Sequence, residues 1–149
     1  MKFTVLGANG FIGSKLVEYL QKKDFKCFTP DVRNENILEK SLGNVIYSIG
    51  VSDLKERPFD AVNAHVSVLK KLLEKGTFDS LLYISSGRLY YNGTSSEEEE
   101  DIIINTSHLN DLYNISKAMG EAMCIASKKK NIKIVRPSNV TGNNISSKL

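Results

Sequence analysis

Short runs of wholly apolar residues alternate with amphipathic segments along this chain, and that alternation restricts the fold more than any single motif. Lys2 to Leu6, Phe25 to Thr29, Asn44 to Ile49, Ser80 to Ser85 and Ile132 to Val135 read as strands. Between them, Phe11 to Lys22 carries Ile12, Leu16, Val17 and Leu20 at helical spacing, and Asn34 to Ser41 reads as a short helix or turn. Ala61 to Lys75 presents Val62, Val66, Leu69, Leu72 and Leu73 on one face. Leu109 to Lys129 reads as a long helix with Leu112, Ile115, Met119, Ala122, Met123 and Ala126 on its apolar side. Strands that are apolar at every position belong in a parallel sheet with helices on both faces. Right-handed crossovers then give a doubly wound α/β fold, which takes ligands at the carboxyl ends of its strands.

A chain of 149 residues holds one domain and one core. The net charge of +3 is small and the lysines are scattered, which argues against a nucleic-acid surface. The run Lys128-Lys129-Lys130 reads as a solvated last turn of a helix, favoured by the helix dipole. The apolar N-terminal stretch leads into a glycine motif rather than a cleavage site, and no stretch is long enough to span a membrane. A cytoplasmic protein is expected. Cys27 and Cys124 lack CxxC spacing, so free thiols are expected and no metal site. His65 and His108 have no partner at ligand spacing and read as structural.

Gly7-Ala8-Asn9-Gly10-Phe11-Ile12-Gly13 leaves the first strand and opens the first helix. One glycine allows the tight turn, a second lets backbone approach a pyrophosphate, and a third lets helix and strand pack closely. The helix N-terminus then presents N–H groups to the phosphates. Asp31 follows the second strand, where a carboxylate accepts hydrogen bonds from both hydroxyls of an adenosine ribose. Arg33, two residues on, would instead pair with a 2′-phosphate. NAD is the expected cofactor, with NADP as the alternative.

Tyr113-Asn114-Ile115-Ser116-Lys117 places a phenol and an ammonium one helical turn apart. A phenol serves as a base at neutral pH only where cations stabilise its phenolate. The pattern is weak alone and gains weight from its place after the strand Ser80 to Ser85.

The Gly7, Gly10, Gly13 spacing resembles the extended short-chain dehydrogenase/reductase (NAD-dependent epimerase/dehydratase) family, whose members include nucleotide-sugar epimerases, dehydratases and reductases. The likeness runs over essentially the whole chain and implies a Rossmann fold. Ser85-Ser86 with Tyr90 resembles the family's Ser-Ser-x-x-x-Tyr, which makes Ser86 the implied catalytic serine beside Tyr113 and Lys117. Lys117 would also hold the nicotinamide ribose. Ser48-Ile49-Gly50 matches the family's small-residue turn along the cofactor, and Asn63 its asparagine at the start of the next helix. Arg136-Pro137-Ser138-Asn139-Val140-Thr141-Gly142 resembles the family's Arg-Pro-x-Asn-Val-Tyr-Gly beside the nicotinamide, with Thr141 in place of tyrosine. Asp31-Val32 also resembles an Asp-Val that ends a further strand in the family and contacts adenine. That region is short here, so one aspartate stands where two are usual.

The resemblance implies hydride transfer at a sugar carbinol. Gly87 and Arg88 occupy the positions of the acidic pair of the 4,6-dehydratases, which argues against water elimination and leaves an epimerase or ketoreductase. Family members continue well beyond the last strand, so a missing substrate domain and feeble turnover are expected of these residues. A homodimer through the Tyr113 helix is also implied. A non-catalytic dinucleotide-binding or redox-sensing module is the rival reading. It would need none of Ser86, Tyr113 and Lys117. The stretch Tyr91 to Ser107, with Glu97 to Asp101 acidic throughout, reads as a mobile, solvated connector.

Overall fold

A computed structural model describes residues 1–141 as one open sheet flanked by helices. β1 (Lys2–Leu6), α1 (Phe11–Lys22) and β2 (Lys26–Phe28) come first. A 3-10 turn at Glu35–Glu39 precedes β3 (Asn44–Tyr47). One helical stretch follows, divided into α2 (Pro58–Val62), a π-turn (Asn63–Ser67) and α3 (Val68–Lys75). After β4 (Ser80–Ile84) come a 3-10 turn (Gly87–Tyr90), α4 (Asp111–Ala126) and β5 (Ile132–Val135). Every strand pairing is parallel, in the order β2-β1-β3-β4-β5. This is the doubly wound α/β architecture expected from the alternation. The chain runs outward from β1 to β2 and then returns past β1 to β3, so the strand order reverses between β1 and β3. Such a switch point is where an open parallel sheet binds ligands.

The strands are mostly apolar because alternate residues serve opposite faces, both of which are covered over most of the sheet. Leu6, Val45, Tyr47, Leu81 and Tyr83 pack against Leu69, Leu72 and Leu73 of α3 and Cys124 of α4. Val5, Ile46 and Ile84 pack on the other side with Ile12, Leu16, Val17 and Leu20 of α1. Among the described residues that second face has α1 alone as its helix, and Val135 of β5 stays 40% exposed.

Two expectations change. The helix expected from Ala61 begins at Pro58, whose fixed φ suits a first turn, so Asn63 does not open it and instead starts the π-turn. The apolar face expected of the long helix is only partly inward: Met123 packs against the core and Leu112 and Ile115 are half-buried. Asp111, Asn114, Ser116, Lys117, Gly120, Glu121 and Cys124 are buried, whereas Met119 is 49% exposed and Ala122 and Ala126 face outward. Apolar spacing misleads here because the inward polar groups find partners on the sheet side, as described below.

Glycine 120 marks the closest approach of α4 to the sheet: a Cβ there would collide with the Tyr83 hydroxyl. Gly120→Ala is expected to lower stability by about 1–3 kcal/mol in urea unfolding despite the better helix propensity of alanine. Stabilisation of the kind alanine usually gives an exposed helix would show that α4 sits further from Tyr83.

Candidate cofactor and active site

Gly7 ends β1 with φ +90°, an angle glycine adopts at little cost. A Cβ on Gly7 would lie 2.8 Å from the Ile49 nitrogen. One on Gly13 would strike the Gly7 carbonyl and come within 2.7 Å of Ser48 Oγ. The turn therefore holds α1 and the Ser48-Ile49-Gly50 loop against β1 at distances only glycine permits. Ser48 reinforces the contact, its backbone N–H and Oγ donating to the Leu6 carbonyl at 2.9 and 2.8 Å. Asn9 and Gly10 are exposed at the rim, Phe11 and Ile12 are half-buried, and Gly10 opens α1 without a side-chain cap. The first-turn N–H groups have no acceptor within the helix, at the positive end of its dipole. That arrangement can hold a pyrophosphate.

Beside the turn lies a cleft of about 260 Å³ lined by Leu6, Val32, Arg33, Ile37, Leu38, Asn63, Val68, Lys71 and Leu72. Its walls are mostly apolar and suit a flat ring. Asp31 and Arg33, expected as rivals for a ribose, pair with each other. Arg33 Nη2 donates to Asp31 Oδ2 at 2.6 Å, and Nε bridges both carboxylate oxygens at 2.9 and 3.0 Å. The guanidinium holds the Asp31 carboxyl down at about 2. Both side chains are largely exposed, so the pair adds little stability. β2 is the sheet edge and is followed by the Glu35–Glu39 turn, in keeping with the shortened region.

α4 brings Tyr113 and Lys117 to the other side of the switch point. Lys117 is buried, and its Nζ donates to the Ile84 carbonyl at 2.9 Å. It lies 5.4 Å from the centre of the Tyr83 ring and 4.0 Å from where a Gly50 Cβ would stand. Burial pushes its ammonium down to about 8. Tyr113 is half-buried, with the Arg88 guanidinium over its ring at 5.2 Å and the His65 ring meeting it edge-on at 5.2 Å. Ser86 caps the 3-10 turn by accepting from the Arg88 N–H at 3.2 Å, which uses an oxygen lone pair and not the O–H. Gly87 N–H donates to the Pro137 carbonyl at 2.8 Å, so Pro137 lies beside the Ser86 turn, with Ser138 and Asn139 exposed after it. Gly142 and the residues after it lie outside the described residues.

Three polar centres escaped the sequence reading. Arg136 Nη2 donates to Glu121 Oε2 at 2.6 Å and Nε to Oε1 at 2.9 Å, while Nη1 donates to the Tyr90 hydroxyl at 2.6 Å. The nearly buried carboxylate raises the Arg136 value further. Asp111 accepts from the Asn105 N–H and from Asn92 and Asn114 side chains, so the acidic stretch is exposed but tied to α4. His65, read as structural, is fully buried with both ring nitrogens bonded, and burial holds it near 3. His108 is exposed. The available signal was a polar stripe, Asn114, Lys117 and Glu121, recurring at helical spacing. Cys124 is buried, which pushes its thiol up to about 12, and Cys27 is half-buried. Among the described residues, no group of three His, Cys, Asp or Glu could hold a metal, and no helix is long and apolar enough to cross a membrane.

An open parallel sheet with a glycine turn at its switch point and an uncapped helix start beside it defines a dinucleotide-binding class of fold. The chain belongs to the NAD dependent epimerase/dehydratase family, whose model matches residues 45–148. No curated protein matches the sequence significantly. Among solved structures, UDP-glucuronic acid 4-epimerase from Bacillus cereus, in complex with NAD, is similar at 23% identity and TM-score 0.75, covering 95% of this chain and 57% of that one. RMD from Pseudomonas aeruginosa, complexed with NADPH, is similar at 23% identity and TM-score 0.71, covering 93% and 54%. UDP-glucose 4-epimerase from Thermotoga maritima follows at 15% identity and TM-score 0.65, covering 91% and 55%. At these identities the likeness establishes the fold. The chain spans little more than half the length of these proteins.

The buried ammonium of Lys117 makes a prediction about stability. Its value near 8 in the folded chain lies below the ordinary 10.5, so the unfolded chain binds this proton more tightly. The penalty is complete below about pH 8 and fades as pH rises towards 10.5. Lys117→Met is expected to raise the unfolding temperature at pH 7 by roughly 3–8 °C, an advantage that shrinks by pH 10. An equal advantage at both values would show that charge burial is not its source.

Proposed function

We propose that residues 1–149 form the dinucleotide-binding domain of an NAD(P)-dependent epimerase or ketoreductase acting on a nucleotide sugar. The observation that carries this reading is the convergence of two features on one loop. Ser48-Ile49-Gly50 packs against the Gly7 turn on one side and closes on the buried Lys117 ammonium on the other. A dinucleotide has to connect those two places.

The residues present fit such a group. The α1 N-terminus with Asn9, Gly10, Phe11, Ile12 and Gly13 would hold the pyrophosphate. The cleft at Val32 and Asn63 would hold the adenine. Asp31, kept ionised by Arg33, suits two ribose hydroxyls and opposes a 2′-phosphate, which favours NAD. NADP would require Arg33 to leave Asp31 for the phosphate. The similar solved proteins contain one cofactor or the other, NAD in the B. cereus epimerase and NADPH in RMD. When bound, the nicotinamide would accept a hydride from the sugar carbon and return it. Tyr113 would take the proton from the carbinol oxygen and give it back in the reverse direction. Lys117 would bind the nicotinamide ribose and supply the positive charge a phenolate base needs nearby. Ser86 would donate its O–H to the reacting oxygen. Pro137, Ser138 and Asn139 would border the nicotinamide.

Gly87 and Arg88 provide no acid–base pair for water elimination, so an epimerase or reductase is favoured over a dehydratase. A redox-sensing module would have no use for a serine after β4 with a tyrosine and a buried lysine on α4. The outward face of α4, with Met119, Ala122 and Ala126, is the proposed surface for a second copy.

Thermal unfolding with each cofactor tests the binding half of this reading. NAD at about 100 times its dissociation constant should raise the unfolding temperature by about 5–10 °C. A larger shift with NADP would transfer the ribose role to Arg33, and no shift with either would sink the cofactor assignment. Tyr113→Phe tests the chemical half. In a full-length protein that carries the substrate domain, it should leave NAD affinity within about twofold and lower epimerisation or reduction of a nucleotide sugar by about a hundredfold or more. Unchanged turnover would remove Tyr113 from the chemistry.

A further inference from the structure

We infer that His65 is a positioning residue that fixes the loop after β3 and the Tyr113 turn of α4 relative to each other. The role rests on the reading of those two segments as the cofactor loop and the proton-transfer helix.

The imidazole is fully buried and uses both of its nitrogens. Val51 N–H donates to Nε2 at 3.3 Å. Nδ1 lies 2.8 Å from Ser116 Oγ, and Ser116 Oγ donates to the Tyr113 carbonyl at 2.9 Å. These contacts define the tautomer. Nε2 accepts from a backbone N–H, so the ring proton sits on Nδ1 and points at Ser116. Ser116 spends its own proton on Tyr113 and offers a lone pair to the histidine. The path Val51, His65, Ser116, Tyr113 is thus fully oriented, with each N–H or O–H aimed one way. The same ring meets the Tyr113 ring edge-on at 89°.

A buried filler would not need this. An isoleucine or leucine would occupy the space without the cost of taking two polar nitrogens out of water. Polar groups in a core are retained with both partners in place, or they destabilise it. His65 also lies in the π-turn, a helix irregularity that recurs at functional sites. A Cβ on Gly50 would stand 3.7 Å from His65 Nε2 and 4.0 Å from Lys117 Nζ, so the loop rests on both side chains. Burial and the neighbouring Lys117 charge keep the ring neutral well below physiological pH, so its donor and acceptor stay assigned.

Two near-isosteric variants separate the links. His65→Gln keeps an acceptor near the Nε2 position for Val51 and gives up the Ser116 donor. His65→Asn keeps a donor near the Nδ1 position for Ser116 and gives up the Val51 acceptor. NAD affinity is measured by calorimetry on the 149-residue chain, with unfolding temperatures beside it. His65→Gln should bind NAD within about threefold of the parent, and His65→Asn about tenfold or more weakly, because the loop N–H has lost its acceptor. The two variants should have similar unfolding temperatures, which a packing role alone would not combine with unequal affinities. Nitrogen-15 spectra of the parent should show a neutral ring with its proton on Nδ1. Equal affinities in both variants, or a proton on Nε2, would overturn the positioning role and leave the cofactor reading standing. Failure of the parent chain to bind NAD would remove the cofactor reading, and this role for His65 with it.

Discussion

The contact between the Gly7 turn and the loop after β3 is the constraint from which the site follows. Backbone approaches backbone there without side chains between them: a Cβ on Gly7 would reach the Ile49 nitrogen, and one on Gly13 would meet the Gly7 carbonyl. α1 and α4 pack on opposite faces of the sheet, so the two helices cannot bring their ends together directly. The close turn solves this by drawing the exits of β1 and β3 to one point. The α1 N-terminus is then on one side of Ser48-Ile49-Gly50 and Lys117 on the other. A bulkier residue at Gly7 or Gly13 would separate these parts before it disturbed either hydrophobic cluster.

The inward face of α4 has a different origin. A helix packed on a sheet ordinarily turns its apolar stripe inward, because burial of apolar area is the dominant gain. Here the inward stripe is Asp111, Asn114, Lys117 and Glu121. Each charged member has a specific partner: backbone N–H and amide donors for Asp111, the Ile84 carbonyl for Lys117, and Arg136 for Glu121. Replacing a buried ion pair by apolar residues often stabilises a protein, so such pairs are weak evidence for selection on stability. Their place on the face of α4 that packs against the sheet accords with use in the proposed site. It also leaves Met119, Ala122 and Ala126 outside, where a monomer gains nothing from them.

Legibility in the sequence follows the same division. The five strands and α1 could be read because their signal is local: apolar runs, a 3.6-residue period, glycines at a strand-to-helix turn. Crossover handedness implied a doubly wound sheet once the elements were placed, and the strand order β2-β1-β3-β4-β5 came from the structure. The orientation of α4 could not be read, since periodicity reports where the apolar stripe is and not which side the protein buries. Asn63 was misplaced because the helix start was marked by Pro58, upstream of the apolar pattern. The Asp31–Arg33 pair and the His65 network depend on contacts whose partners are close in space but not foreseeable from spacing. His65 and Ser116 are 51 residues apart.

In the proposed dinucleotide site, the Asp31–Arg33 pair would link cofactor choice to charge through one local contact. Alone, the pair is exposed and nearly neutral in energy. Its effect is to keep the carboxylate ionised and turned by a bidentate guanidinium, with the arginine Nε and Nη2 donors engaged. A diol offers two hydroxyl donors to that carboxylate and leaves the arginine undisturbed. In that proposed site a 2′-phosphate would have to displace the guanidinium from the carboxylate and then sit beside the negative charge it had uncovered. Removing the acid therefore does more than remove repulsion, because it also frees the arginine that would bind the phosphate. In the proposed site, a single change at Asp31 would therefore act on both cofactors in opposite directions.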